Sequence, residues 1–340
     1  AALFFFSLVA SFAIAQEEPR EISTTSFTFQ VNGVAAKLNH FSSPAVDQKN
    51  EKIDRLVIVV HGTNRNPYTY HKNMRIAAEK AGKSETTLVV SPGFIMESDL
   101  DKNKDLLGDD HIFWTNSGWK QGDESVTNSS SNKRTVSLSS FAVVDKIILQ
   151  ILNSGNFPNI KHVVVSGNSA GGQLVNRYSG GNWIHDQVKK QFGIEMKYLV
   201  AAPSTYTYLT AERPVIGSKG KFYTPDANSC EGTYNHYRHG IEKFNGYMDK
   251  VSAEEYRTRF ATRIVAYFVG ISDSDPKDLN LDVTCQAMLQ GRERKERAEY
   301  FVDYLQHLYG KRYPLTVVPD AGHDHAKMFA SPEGMAWLFK

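Results

Sequence analysis

The sequence contains little cysteine, no large excess of charge of either sign, and no long hydrophobic run. Its 340 residues include two cysteines, Cys230 and Cys285, too few for a disulfide-rich miniprotein or for a zinc cluster made of cysteine alone. Lys and Arg together number 39 and Asp and Glu 37, so the formal net charge is +2. This small excess gives no long-range attraction to nucleic acid or to an anionic membrane, and we expect neither as a partner.

The chain also lacks internal repeats and any linker rich in proline and glycine. Hydrophobic residues make up 41% and charged residues 22%, the balance of an ordinary globular protein rather than a disordered one. We therefore expect a single domain over residues 16–340. Nothing in the sequence predicts the oligomeric state.

Residues 1–15 carry no charge, are almost wholly apolar and end in Ala13-Ile14-Ala15, ahead of a polar run. A short apolar core followed by a small-x-small site is typical of a secretory signal peptide, here cleaved after Ala15. The missing initiator methionine and basic segment indicate that the sequence begins partway into the signal. The stretch is shorter than the ~20 residues that a spanning helix needs, so we expect secretion and no stable membrane insertion.

Secretion bears on the two cysteines. Outside the cytosol two thiols usually pair where geometry allows, so we predict a Cys230–Cys285 disulfide, with two separate buried thiols as the alternative. Asn128 begins an Asn-Ser-Ser sequon, which matters only if the host glycosylates proteins.

Short apolar runs rich in β-branched residues alternate with helix-like stretches after an initial predicted hairpin. The hairpin strands flank Asn32-Gly33, a favoured turn pair. Buried parallel strands alternating with helices predict one mostly parallel α/β sheet with helices on both faces. The predicted strands are 25–31, 35–41, 55–60, 87–91, 162–166, 198–202, 264–269 and 315–318, and the clearest predicted helices are 141–152, 173–178 and 293–308.

One strand is followed by the Gly-x-Ser-x-Gly pattern. The predicted strand 162–166 leads into Gly167-Asn168-Ser169-Ala170-Gly171, and a helix-like stretch follows. This is the context of a nucleophile elbow, a tight turn that presents the serine above the sheet at a helix N-terminus. Ser169 is therefore the candidate nucleophile.

A serine hydroxyl needs a general base and an orienting acid, which follow it in the order acid, then histidine, in this fold. After the last predicted strand comes Gly322-His323-Asp324-His325, and we take His323 as the base with His325 as the rival. After strand 264–269, Asp273 is the preferred acid, and Asp275, which precedes a proline, is its rival.

An oxyanion hole needs two backbone N–H groups aimed at the developing negative charge. Ala170, next after the serine, is one candidate donor. The loop after strand 55–60, His61-Gly62-Thr63-Asn64, supplies the other, with Thr63 preferred and Asn64 as the alternative. We interpret His61 as a brace for this loop.

Taken in order, these motifs resemble the α/β-hydrolase superfamily over nearly the whole mature chain. The chain is similar to a branch of poorly characterised secreted hydrolases within it, in which histidine is common at the position of Asn168. The resemblance implies acyl transfer through a serine-bound intermediate, most often hydrolysis of a small-molecule or polymeric ester, without a cofactor. A peptidase or amidase built on the same residues, or a non-catalytic ligand-binding homologue, is the alternative. The near-neutral charge favours a polar or apolar acyl compound as the substrate over a polyanion.

About sixty residues separate strand 198–202 from strand 264–269, far more than the ~4–6 of an ordinary connection. The insertion, at about 204–260, is rich in aromatic residues, and we expect a cap-like segment there, with its aromatics lining a substrate pocket or packing among themselves.

We expect no metal site: His323-Asp324-His325 lacks zinc-motif spacing, and the alternating acidic residues from Asp99 lack the glycine and glutamate of a calcium loop.

Overall fold

The computed structural model describes residues 20–340, so the predicted signal peptide at residues 1–15 lies outside the described residues. The strands are β1 (Ser26–Val31), β2 (Val34–Ser43), β3 (Arg55–Val60), β4 (Thr87–Pro92), β5 (His162–Asn168), β6 (Met196–Ala201), β7 (Arg213–Pro214), β8 (Phe222–Tyr223), β9 (Ile264–Gly270) and β10 (Leu315–Val318). The helices are α1 (Pro67–Lys80), α2 (Glu97–Lys102), α3 (Ser140–Asn153), α4 (Ala170–Gly181), α5 (Ile184–Phe192), α6 (Ser229–Gly232), α7 (Ala253–Thr262), α8 (Cys285–Met288), α9 (Arg294–Tyr309), α10 (His325–Phe329) and α11 (Pro332–Phe339). Across residues 20–340, none of the helices combines the length and apolarity needed to cross a membrane.

Eight strands form one sheet in the order β1-β2-β4-β3-β5-β6-β9-β10. The six strands from β4 to β10 in this order pair in parallel, and β1 and β2 pair antiparallel at one edge. Helices pack around the sheet, so the predicted mostly parallel α/β fold is confirmed.

The central strands are largely apolar because both faces of the sheet are covered. Every residue of β3 and of β4 is buried, and so are six of the seven residues of β5. The hairpin predicted at Asn32-Gly33 is present: both residues have positive φ, 51° and 82°, and Val31 pairs with Val34. Left-handed backbone at two successive positions is what this turn type requires, and Asn-Gly adopts it readily.

Two tyrosines of the long insertion between β6 and β9, Tyr206 and Tyr208, pack inward against α9. The Tyr206 ring stacks on Phe301 with the ring centres 4.4 Å apart, and the Tyr208 ring lies 4.6 Å from that of Tyr304. The disulfide predicted between Cys230 and Cys285 is present, with the two Cα atoms 5.5 Å apart. It joins the insertion to the segment that follows β9.

One buried carboxyl has tyrosine hydroxyls as its hydrogen-bond partners. Asp145 of α3 accepts hydrogen bonds from the Tyr178 hydroxyl at 2.7 Å and from the Tyr247 hydroxyl at 2.6 Å. Burial raises the pKa of the Asp145 carboxyl from 3.8 to about 7, although both hydroxyls favour its charged form. A carboxyl with a raised pKa in the folded state stabilises the fold most at low pH, and this contribution is lost as the pH rises through about 7.

Replacing Asp145 by asparagine is expected to remove this pH dependence. Between about pH 4 and pH 7, the wild-type protein should lose up to about 4 kcal/mol in free energy of unfolding relative to the Asp145→Asn variant. Urea unfolding of both proteins over a pH series measures this difference. The exposed Asp275→Asn variant serves as the control and should run parallel to wild type, and parallel curves for Asp145→Asn would contradict the prediction.

Candidate active site

Ser169 occupies a strained turn between β5 and α4. Its backbone angles are φ 58° and ψ −120°, which a residue with a side chain rarely adopts. The Ser169 N–H donates to the Ala201 carbonyl at 2.9 Å, and this bond holds the turn against the end of β6. The predicted nucleophile therefore lies at a sharp strand-to-helix elbow, at the carboxyl end of the central strands.

The two glycines of the motif allow this turn to form. A Cβ atom on Gly171 would lie 2.3 Å from the carbonyl oxygen of Val60, and one on Gly167 would lie 2.6 Å from the carbonyl of Gly171. Both distances are far below van der Waals contact, so any side chain here would push α4 away from β3. The two glycines of the Gly-x-Ser-x-Gly pattern are thus required by the close packing of the elbow.

His323 and Asp273 meet across the ends of β9 and β10. The His323 Nδ1 atom lies 2.7 Å from the Asp273 Oδ2 atom, with the carboxylate side chain only 4% exposed and the imidazole 26% exposed. This contact places hydrogen on Nδ1 and leaves Nε2 to act as a base. The structure therefore brings together the preferred base and the preferred acid.

The two rival residues have other contacts. The Asn73 amide lies 2.9 Å from His325 Nε2, and the His325 ring stacks on Tyr70 with the ring centres 3.8 Å apart. Burial lowers the pKa of His325 to about 4. The carboxylate of Asp275 accepts the backbone N–H of Lys277 at 2.9 Å, so it shapes the exposed turn.

Arg294, which was not singled out from the sequence, holds the second oxygen of Asp273. Its Nη1 atom lies 3.3 Å from Asp273 Oδ1 and its Nη2 atom 3.2 Å from Asp278 Oδ1, and its side chain is only 1% exposed. The sequence did carry one signal. Arg294 and Lys295 begin helix α9, where the helix dipole disfavours cations, so a buried carboxylate partner is a reason for the arginine to be there.

The loop after β3 lies beside the serine. Gly62, Thr63 and Asn64 line a small cleft of about 150 Å³ together with Ser169 and His323. Within residues 20–340, neither the Ala170 N–H nor the Thr63 N–H donates to another protein group. Thr63 and the alternative Asn64 both line the cleft, and Ala170 follows directly after Ser169.

Two side chains, the buried His61 and the half-buried Arg65, fix the course of this loop. His61 lies 2.8 Å through Nδ1 from the Gly62 carbonyl, and its Nε2 accepts the Phe94 N–H at 2.9 Å. Burial lowers the pKa of His61 to about 4, so the ring is a neutral brace, as interpreted from the sequence. Arg65 donates from Nη1 to the Thr63 carbonyl at 2.9 Å and pairs through Nε with Asp99 at 2.6 Å.

Tyr70 forms another wall of the cleft, and no sequence signal indicated it. Its hydroxyl lies 2.8 Å from where a Gly62 Cβ atom would be, and accepts the Asn168 amide at 3.3 Å. Burial raises the pKa of Tyr70 to about 12, so the hydroxyl keeps its proton. The residues that line the cleft are Gly62, Thr63, Asn64, Asn66, Tyr70, Asn168, Ser169, Asn280, His323 and His325.

No aromatic residue of the 204–260 insertion belongs to this lining in the described part of the chain. Trp114 and Trp119 are buried in the core instead, where Trp119 packs 4.9 Å from the His61 ring.

Over residues 20–340, no group of three or more His, Cys, Asp or Glu side chains has the arrangement to hold a metal ion. In chemical terms the cleft brings the Ser169 hydroxyl together with an imidazole, that of His323, whose Nδ1 is held by the Asp273 carboxylate.

The strand order and the elbow define the α/β-hydrolase fold, and comparison with solved structures agrees. The chain is similar to poly(aspartic acid) hydrolase-1 from Sphingomonas sp. KT-1, at 21% identity and a TM-score of 0.60, covering 93% of this chain and 98% of that chain. It is also similar to a poly(3-hydroxybutyrate) depolymerase from Bordetella parapertussis, at 18% identity and a TM-score of 0.57, covering 92% of this chain and 89% of that one. No protein-family model and no curated protein matches the sequence. At these identities the likeness shows a shared fold.

Replacing Arg294 by leucine is expected to destabilise the protein by about 3 kcal/mol, because the buried Asp273 carboxylate loses its cation. Urea unfolding at neutral pH measures the change. The Arg292→Leu variant is the matched control, since Arg292 pairs with Glu296 at the surface with its side chain 65% exposed, and it should change stability little. Equal losses of stability in the two variants would show that the Arg294–Asp273 contact stabilises the protein no more than a surface ion pair does.

Proposed function

We propose that this protein is a secreted serine hydrolase that cleaves carboxylic esters through an acyl-enzyme. The observation that carries the proposal is the 2.7 Å contact between His323 Nδ1 and the buried Asp273 carboxylate, in a histidine that shares one cleft with Ser169. Of the two solved structures reported above, one is named a hydrolase and the other a poly(3-hydroxybutyrate) depolymerase, and these names support the same class of reaction.

In the proposed reaction, Ser169 Oγ attacks the ester carbonyl carbon while His323 Nε2 takes the hydroxyl proton. The Asp273 carboxylate orients the ring and stabilises the imidazolium that forms. The N–H groups of Ala170 and Thr63 bind the negative oxygen of the tetrahedral intermediate. His323 then returns the proton to the departing alkoxide, and a water molecule, activated by the same base, releases the acid and restores Ser169.

The proposal of secretion is supported by the composition of residues 1–15 and by the Cys230–Cys285 disulfide, a bond that persists in oxidising surroundings. The proposed unit is one α/β-hydrolase domain over residues 16–340. Its cap-like insertion is held to the segment after β9 by this disulfide.

A fluorophosphonate probe should label the wild-type protein, and Ser169→Ala should abolish labelling, because the probe reacts only with an activated serine. Wild-type protein that stays unlabelled would contradict the enzymatic proposal. Label that persists on Ser169→Ala would place the nucleophile at another serine. Gel fluorescence after labelling, with intact-mass analysis, measures both.

Removing the acid or the base should lower kcat for a short acyl ester by roughly 10⁴-fold, as for other triads. The variants are Asp273→Asn and His323→Ala, measured by steady-state kinetics with 4-nitrophenyl esters. Asp275→Asn is the matched control for the acid and should stay near wild type, and His325→Ala should lose less activity than His323→Ala. A larger loss at Asp275 or His325 would reassign the acid or the base.

Parallel assays with chromogenic peptides and anilides separate an esterase from a peptidase or amidase on the same residues. The proposal expects kcat/KM for an ester to exceed that for the amide of the same acyl group. The reverse order would favour the amidase alternative.

A further inference from the structure

A second cleft opens directly beside the one that holds Ser169. It has a volume of about 270 Å³ and shares Thr63 and Asn280 with the Ser169 cleft. Gln173, on the first turn of α4 after the nucleophile, also lines it. Because the two clefts adjoin, a substrate whose scissile bond lies at Ser169 can place a neighbouring group in this second cleft. Its lining consists of Thr63, Asn116, Ser117, Lys120, Gln121, Gln173, Arg177, Ser204, Arg238, Leu279, Asn280, Leu281 and Asp282.

The charges of this lining do not balance. Three cations, Lys120, Arg177 and Arg238, face one carboxylate, Asp282, which leaves two positive charges. The only ion pair among the four is a long one, 3.7 Å between Arg238 Nη2 and Asp282 Oδ2. A further carboxylate, Asp123, lies outside the lining and is occupied by the Gln121 and Asn245 amides at 2.8 and 3.1 Å.

Two of these cations lack an anionic partner within residues 20–340. Arg177 is fully buried, donates from Nη1 to the Lys120 carbonyl at 2.9 Å and from Nη2 to Thr205 at 3.2 Å, and leaves its Nε–H without an acceptor. The Lys120 ammonium makes neither a hydrogen bond nor an ion pair in that part of the chain. Desolvated charge is costly unless paired, so this cleft favours an incoming anion.

The remaining contacts select the chemistry of that anion. Burial and the neighbouring Arg177 and Arg238 lower the pKa of Lys120 to about 8, so the ammonium is charged at neutral pH and gains from a negative neighbour. Gln121, Gln173 and Ser204 add amide and hydroxyl groups at the same wall. The side chains of Gln121, Gln173 and Ser204 already bond to Asp123, Arg177 and the Asp282 N–H. An apolar acyl chain would therefore leave the Lys120 ammonium as the unpaired group, and a cationic substrate would be repelled.

We propose that this cleft binds a carboxylate group of the substrate. The enzyme then acts on esters in which either the acid part or the alcohol part carries a free carboxylate. The inference rests on the proposed function, since it places the carboxylate in the same molecule as the bond that Ser169 attacks. Lys120 and Arg238 act here as specificity residues, and Arg177 supplies fixed positive charge behind them.

Paired substrates test the proposal. On the acyl side, 4-nitrophenyl hydrogen adipate is compared with 4-nitrophenyl hexanoate, and on the alcohol side 4-acetoxybenzoate is compared with 4-methylphenyl acetate. For at least one pair, kcat/KM of the anionic member should exceed that of the neutral member about tenfold at low ionic strength, and added salt should reduce the ratio. Equal values for both pairs would overturn the proposal.

Single substitutions locate the effect. Lys120→Gln and Arg238→Gln should each lower the ratio of kcat/KM for anionic over neutral substrate about tenfold, mainly through KM, and Lys120→Arg should retain the ratio. Lys189→Gln, at an exposed lysine on α5, is the control and should leave it unchanged. An equal fall in kcat/KM for the anionic and the neutral substrates would overturn the proposal, because the cations would then only stabilise the fold.

The pH dependence gives an independent measure. As the pH rises through about 8, Lys120 loses its charge, so the wild-type preference for the anionic substrate should decline, and this decline should be absent from Lys120→Gln. A decline that persists in Lys120→Gln would count against the assigned role of this lysine.

Binding without turnover separates this inference from the proposed function. Adipate should bind Ser169→Ala in calorimetric titration, and Lys120→Gln in that background should weaken binding about tenfold. Adipate binding together with failure of fluorophosphonate labelling would support the anion cleft while contradicting the hydrolase. Labelling and turnover of neutral esters, with no adipate binding and no anionic preference, would overturn the cleft and leave the hydrolase intact.

Discussion

The site depends on the close approach of the elbow to strand β3. Gly171 lies so near the Val60 carbonyl that a Cβ atom there would be 2.3 Å from it. At this approach Ser169 has positive φ, and it shares a cleft lining with the loop that follows β3. Because Ser169 follows β5 and Thr63 follows the adjacent strand β3, this packing constraint sets how closely the serine and the β3 loop lie. A looser elbow would separate the serine from that loop, even with every polar residue retained.

The acid–base side of the site depends on buried charge. Asp273 is 4% exposed, and a carboxylate so far from water requires partners on both oxygens. His323 contacts one oxygen and Arg294 the other, so the acid is held in a single orientation. Arg294 begins α9, and the Asp273 carbonyl also accepts the Lys295 N–H at 3.1 Å, so the helix and the acid loop hold each other in place. The orientation of the imidazole is therefore a property of β9, β10 and α9 together.

Most of the sheet and the three principal site loops could be predicted from the sequence, since both depend on local patterns. The β3 and β10 boundaries follow from continuous apolar runs, and Ser169, Asp273 and His323 each follow the end of such a run. Tyr70 could not be predicted as a wall of the cleft, because its contact with Gly62 and Asn168 joins segments far apart in the chain. The insertion shows the same limit. Its tyrosines are conspicuous in sequence, yet Tyr206 and Tyr208 pack on α9, and composition alone cannot distinguish a ring in the core from a ring on a substrate.

The local charge beside Ser169 differs from the net charge of the chain. A net charge of +2 over 340 residues argued against a polyanionic substrate, but a net charge is a sum over the whole surface. At physiological ionic strength, charges influence one another over ~8 Å, so a bound group responds to its immediate lining and not to that sum. In the cleft beside Ser169, Lys120, Arg177 and Arg238 outnumber Asp282, and burial strengthens their field by excluding water. These three residues are far apart in the sequence, which hides the cluster: Lys120 lies in the β4–α3 connection, Arg177 lies on α4, and Arg238 comes from the insertion. The insertion thus contributes a charge beside Ser169 rather than an aromatic wall over it.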